Sequence, residues 1–149
     1  MRTMHYDSND ELRKLDEYYS NSDLRHIFVK HRHEIVYLLK TIETIWKNAE
    51  LDKQNFDILY KGLQNSWACV YYYIVGGQIN SMIGKIVGVE ELLFKGIEDK
   101  SWQTRFNTVV IMKGINNLEL KNKIILIGLK DKNKKVSEMA SDVKDYYLN

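Results

Sequence analysis

Apolar residues recur at steps of three and four along almost the whole chain, and no stretch alternates apolar and polar for long enough to make a half-buried strand. That periodicity predicts an all-α fold. Leu12, Leu15 and Tyr19 form the stripe of a first helix over residues 9–19. Asp7 and Ser8 are suited to cap it, and Asp10 and Glu11 suit the positive end of its dipole. Leu24, Phe28, His31, Ile35, Leu38, Ile42 and Ile45 then step by 4, 3, 4, 3, 4 and 3. They predict one long helix over 22–47, capped by Ser22, with Ile27, Leu39 and Trp46 widening its stripe into a packing face. Asp52 can cap a third helix carrying Phe56, Leu59, Tyr60 and Leu63, ended by a turn at Asn65-Ser66. Residues 67–75 are apolar nearly all round, as in a buried helix, and Gly76-Gly77 is expected to end it. A fifth helix over 79–97 contains Gly84 and Gly88, which mark either a close helix contact or a break near Gly88. Helices over 102–113, 118–129 and 134–147 follow, separated by a loop at 114–117 and a turn at 130–133.

The later turns repeat one another. Gly62, Gly96 and Gly128 lie 34 and 32 residues apart, and each is followed by an aliphatic: Leu63, Ile97 and Leu129. Three positions after each glycine stand Asn65, Asp99 and Asp131. Five beyond those come Val70, Thr104 and Val136, and nine beyond, Ile74, Thr108 and Ala140. A period of this size is the mark of a helical repeat, in which each amphipathic helix pair must stack on its neighbours to bury its apolar face.

The pattern resembles the HEAT-like α-helical repeat, in which a turn aspartate precedes a Val-Arg pair and then a small residue on the second helix. Asp131, Val136 and Ala140 follow it, with Ser137 in place of the arginine; Asp99 and Arg105 follow it, with Thr104 and Thr108 in the apolar and small positions. Tyr71 takes the arginine place in the first copy, and the proline common in the family is absent. The resemblance implies a right-handed α-solenoid-like stack of about four helix pairs in a single domain over 1–149. Residues 1–50 would cap the array, and residues 52–148 would supply three HEAT-like pairs. A turn aspartate can accept hydrogen bonds from the free N–H groups of the second helix. The resemblance further implies a charged ladder joining Arg105 to Asp131. The helix over 102–113 has two open registers: the repeat alignment buries Thr104 and Thr108, whereas burial of Phe106, Val109 and Val110 would turn Thr104, Asn107 and Thr108 outward.

Composition narrows the function. A chain of 149 residues with 44% apolar and 28% charged residues is an ordinary globular composition, and a net charge of +2 gives no global field for nucleic acid. The absence of proline suits long helices. A single cysteine, Cys69, excludes an internal disulfide framework. With no apolar leader and no run of about 20 apolar residues, the expected location is cytoplasmic.

Few residues suggest chemistry. His26, His31 and His33 are spaced by five and two, unlike the four-residue spacing of helical metal pairs, and His31 falls in the apolar seam. A packed histidine is the expectation, with no metal and no cofactor. Cys69 sits in an all-round apolar run and reads as a buried thiol. No nucleophile elbow, phosphate loop or dinucleotide fingerprint occurs. Lys130, Lys132, Lys134 and Lys135, extended by Lys121 and Lys123, make a basic run without interleaved aromatics, which reads first as a solvated turn. Three consecutive tyrosines, Tyr71 to Tyr73, cannot all face one core, because successive helical residues lie about 100° apart. A surface lined by second helices would collect Tyr72, Tyr73, Trp102, Gln103, Asn107, Lys135 and Glu138, and aromatic residues of this kind anchor protein interfaces.

The expectation is therefore a non-catalytic protein-binding scaffold. HEAT-like arrays mostly serve protein interaction, and a small free-standing one is similar to some bacterial immunity proteins that block a cognate toxin. The residue usage, rich in Lys, Asn, Ile and Tyr, agrees with a bacterial source. The alternative is a nucleic-acid-binding protein like the HEAT-like DNA glycosylases.

Overall fold

The computed structural model describes the backbone of residues 5–65 and 71–148, and the side chains of the same residues except 71–73, 147 and 148. The predicted helix start at Trp67, the thiol of Cys69 and the side chains of Tyr72 and Tyr73 lie outside the described residues. Among those described, every regular element is helical: nine α-helices and one 3₁₀ turn. None of the helices is long and apolar enough to cross a membrane. The chain divides into two compact units, one ending at Ile58 and the other beginning at Leu59.

The first unit holds α1 (Ser8–Tyr18), α2 (Arg25–Lys30) and α3 (Arg32–Asn48). Asp7 caps α1, accepting from the N–H groups of Asn9 and Asp10. The Ser8 N–H donates to Glu43 on α3 at 2.7 Å, tying the helix start to its packing partner. Phe28, Ile35, Leu38, Ile42 and Ile45 are all fully buried, so the seam read from the sequence faces inward. The single helix expected over 22–47 is instead two, meeting at His31. Hydrophobic spacing fixes which residues face the core and is equally satisfied by two helices joined at one irregular residue; it does not guarantee an unbroken backbone. At the start of α2, Arg25 pairs with Asp16 of α1 at 2.7 Å, and its guanidinium lies 5.4 Å from the Phe28 ring centre.

α4 (Lys53–Gln64) starts in the first unit, capped by Asp52, which accepts from the Asn55 N–H; its Leu59–Gln64 turns belong to the second. The second unit continues with α5 (Tyr71–Met82), α6 (Glu90–Ile97), α7 (Trp102–Ile111), the 3₁₀ turn Met112–Gly114, α8 (Leu118–Leu129) and α9 (Lys134–Leu148). Helix α5 runs through Gly76-Gly77, which were expected to end it. Both glycines keep negative φ there, and a Cβ on Gly76 would press against Ile111 at 3.0 Å, so Gly76 serves a close helix contact instead of a cap. The break comes later. Gly84 and Gly88 adopt left-handed φ values of 82° and 92°, interrupting the helix expected over 79–97. Only glycine takes that conformation cheaply. Between them Ile86 turns into the core while Val87 stands in solvent.

Helix α6 packs on α7 and α8, and α7 packs on α5 and α9. Thr104 and Thr108 are buried, in the same places on α7 that Val136 and Ala140 occupy on α9. The repeat alignment therefore gives the register of α7, and the outward orientation for Thr104 and Thr108 is corrected. The Thr108 hydroxyl donates to the Thr104 carbonyl at 2.8 Å, which lets a polar side chain enter the core without an unpaired group. Asn107 is half-buried, and its Nδ2 donates to the Leu63 carbonyl at 2.8 Å.

Two of the aligned glycines, Gly96 and Gly128, sit at close helix contacts. A Cβ on Gly96 would collide with the Thr108 hydroxyl, and one on Gly128 would meet Ala140 at 3.1 Å. Each glycine lets the first helix of a pair close onto the small residue twelve positions later on the second.

Candidate functional site

Two kinds of site residue emerge from these helix pairs: those that lock the turns and those that line the surface of the second helices. The turns come first because they aim the surface. Asp99 Oδ1 accepts from the Ser101 N–H at 2.8 Å, and Asp131 Oδ1 accepts from the Asn133 N–H at 2.8 Å. These bonds satisfy donors at the starts of α7 and α9. Arg105 then joins one turn to the next. Its Nε donates to Asp131 Oδ2 at 2.7 Å, and one terminal nitrogen donates to the Asp99 carbonyl at 2.8 Å and the Lys100 carbonyl at 3.1 Å. The Tyr60 hydroxyl adds the preceding rung, donating to Asp99 Oδ2 and reaching the Lys95 carbonyl at 3.3 Å.

Electrostatics follow from this wiring. Burial works to raise the Asp131 pKa but is outweighed by the hydrogen bonds from Arg105 and the Asn133 N–H, so the carboxyl sits below its usual range. Asp99 is likewise lowered against burial, by the Tyr60 hydroxyl, the Ser101 N–H, Gln64 and Arg105. Tyr60 is pushed well above the ordinary tyrosine value by burial and by its bond to Asp99.

With the turns locked, α7 and α9 present adjacent outer faces. Trp102 and Phe106 are one turn apart on α7 with their rings edge to face at 6.2 Å. On α9, burial of Val136, Ala140 and Val143 turns Lys135, Glu138, Met139 and Asp142 to the other side. Together with Gln103 and Asn107 these residues line a groove of about 440 Å³. Lys135 Nζ lies 5.0 Å from the centre of the Trp102 ring. Glu138 meets Lys134 at 3.7 Å on the exposed rim, a pair worth little in water. Gln103 Oε1 accepts from the Ser101 hydroxyl at 2.8 Å, and Asn107 Nδ2 is anchored to the Leu63 carbonyl. The floor is thus aromatic and thioether, and the rim is polar with two carboxylates.

The structure brings Trp102, Gln103, Asn107, Lys135 and Glu138 into this one groove. Tyr72 and Tyr73 lie outside the described side chains. Sequence reasoning missed Phe106, Met139 and Asp142. Each stands four positions after a residue already singled out (Trp102, Lys135 and Glu138), so helical spacing alone pointed to them.

The other candidates resolve differently. His26 and His33 are exposed, whereas His31 is half-buried with its Nδ1 3.7 Å from Glu34. Among the described residues no group of three His, Cys, Asp or Glu side chains is placed to hold a metal ion. The basic run is dispersed: Lys121 is buried, Lys123 meets Glu119 at 3.3 Å, Lys134 meets Glu138, and Lys135 covers Trp102. Lys130 and Lys132 project beside the Arg105–Asp131 pair. Comparison of the chain with protein-family models, with curated proteins and with solved structures returned no match.

Proposed function

We propose that this chain is a non-catalytic protein-binding scaffold whose second unit is a HEAT-like, right-handed stack of helix pairs. In the concrete form of this proposal it is a cytoplasmic immunity protein of bacterial type that binds and blocks a cognate toxin through the groove between α7 and α9. The observation that carries the reading is the groove itself: two aromatics of α7 and the Met139 thioether of α9 make its floor, ringed by polar side chains. Large aromatics at the centre of a polar rim are the anatomy of an interface hot spot. Among the described residues of this unit, the titratable groups with displaced pKa values, Tyr60, Asp99 and Asp131, hold turns together, which supports binding over catalysis. A glycosylase-like function on nucleic acid draws less support, because four of the six lysines of the basic run are buried or engaged.

The test is co-purification of a protein partner followed by calorimetric titration against groove variants. Trp102→Ala is expected to weaken binding by about tenfold or more, the usual scale of a hot-spot truncation. Salt-sensitive binding to oligonucleotides that Lys130→Gln and Lys132→Gln abolish would favour the nucleic-acid alternative instead.

A further inference from the structure

We infer that the groove between α7 and α9 recognises a basic side chain of the protein partner, an arginine or lysine carried on an apolar segment, which takes the place of Lys135 on the face of Trp102. This inference rests on the scaffold reading and names the chemistry of what that scaffold binds.

Three features of the groove converge on a cation. The first is the ring face. An indole attracts positive charge through its quadrupole, and Lys135 already lies over Trp102 at 5.0 Å. Lys135 is exposed on a flexible stem, so holding it there costs side-chain entropy that a pre-positioned partner cation does not lose again. It is a resident cation that can swing to solvent.

The second is the charge of the rim. Glu138 and Asp142 are one helical turn apart on α9 and both line the groove. Lys134 meets Glu138 at 3.7 Å, from the outside of the rim. Asp142 is exposed, and among the described residues no basic group is placed against it. Glu138 is thus met by Lys134, and Asp142 is the carboxylate of the groove left to face an incoming cation that displaces Lys135. The third is the remaining hydrogen-bonding capacity. Asn107 spends its amide nitrogen on the Leu63 carbonyl, which leaves its oxygen as an acceptor.

Phe106 and Met139 complete the floor and suit the stem or an apolar neighbour of the incoming residue. A volume of about 440 Å³ accommodates one long side chain with part of its flanking residue and is too small for a folded element. The occupant is therefore a protruding segment that presents one basic residue.

The chemistry can be tested without the partner. The probe is benzamidinium, an aromatic cation with a planar amidinium head, with neutral benzamide as its near-isostere. The readout is the indole N–H resonance of Trp102 in ¹H–¹⁵N spectra of the full chain, assigned with Trp102→Phe. Benzamidinium is expected to move this resonance saturably and benzamide to move it far less. Lys135→Gln, which vacates the ring face, should tighten benzamidinium binding roughly two- to fivefold, the scale of one exposed cation–π contact. The pair Glu138→Gln and Asp142→Asn should weaken it. Equal responses to the two probes, no response to benzamidinium, or affinities indifferent to both sets of substitutions would each overturn the inference. A failed titration with Trp102-dependent partner binding intact overturns the cation preference alone. Partner binding that ignores Trp102 overturns the scaffold reading itself.

Discussion

Arg105 Nε donates to Asp131 Oδ2 at 2.7 Å across 26 residues of sequence, with the two side chains only 12% and 8% exposed. The pair links the turn before α7 to the turn before α9. Because Arg105 also spends a terminal nitrogen on the carbonyls of Asp99 and Lys100, it fixes the backbone of its own turn while gripping the next. The groove depends on this arrangement, since Trp102 is the first residue of α7 and Lys135 the second of α9.

Removing Asp131 takes one charged partner from a part-buried Arg105 that keeps its bonds to the Asp99 and Lys100 carbonyls. Asp131→Ala is therefore expected to destabilise the chain by about 1–3 kcal/mol, read from urea or thermal unfolding. The same pair predicts a pH dependence. The folded pKa of Asp131 is depressed, so its stabilisation is present above the ordinary aspartate value of about 3.9 and is lost as pH falls through the lower folded value. Asp99 acts in the same direction. Acid unfolding should set in below about pH 4 and be shallower in Asp131→Ala than in the parent chain.

Tyr60 acts at the other end of the scale. Its folded pKa is raised by burial and by Asp99, so the protonated hydroxyl stabilises the fold fully below the ordinary tyrosine value of about 10. That contribution is lost as pH rises through the folded value. Tyr6, raised by burial and by Glu11 and Glu43, adds to the same alkaline loss. Tyr60→Phe should flatten the fall in stability above about pH 10 without abolishing it, as followed by unfolding at stepped pH.

The close approach at Gly96 gives a prediction with a built-in control. Gly96→Ala places a methyl group against Thr108 and within 3.2 Å of Leu63, and overpacking of this kind costs roughly 1–3 kcal/mol. Thr108→Ala should recover part of that loss, because it removes the hydroxyl the new methyl meets. A double-mutant cycle in unfolding free energy measures the coupling, and strict additivity would mean that the two residues do not share the crossing.

The helical class and the turn register were legible in the sequence because backbone chemistry demands them, and the Arg105–Asp131 link was expected from the repeat resemblance. A turn aspartate is needed where helix N–H groups lack partners, and a glycine where two helices meet. The identity of the buried face of α7 was harder to read, since Thr104 and Thr108 look polar. The Thr108 hydroxyl settles its place in the core by donating to the Thr104 carbonyl of its own helix. The break at His31 and the passage of α5 through Gly76-Gly77 were not legible. Apolar spacing is blind to one irregular residue, and a glycine pair reads as a helix end until the tight contact between Gly76 and Ile111 is known. The groove was visible as scattered second-helix positions, but its floor was not. Phe106 and Met139 look like core until their neighbours Val109, Val136 and Ala140 are seen to occupy the interior.

The most direct test of the account is the affinity of a co-purified protein partner for the parent chain, for Trp102→Ala and for the double variant Lys130→Gln/Lys132→Gln, measured by calorimetry with helical content checked by circular dichroism. The account predicts a loss of about tenfold or more for Trp102→Ala with the fold intact, and no change for the lysine variant, whose positions lie outside the groove. Unchanged partner affinity in Trp102→Ala, with loss confined to the lysine variant, would contradict it.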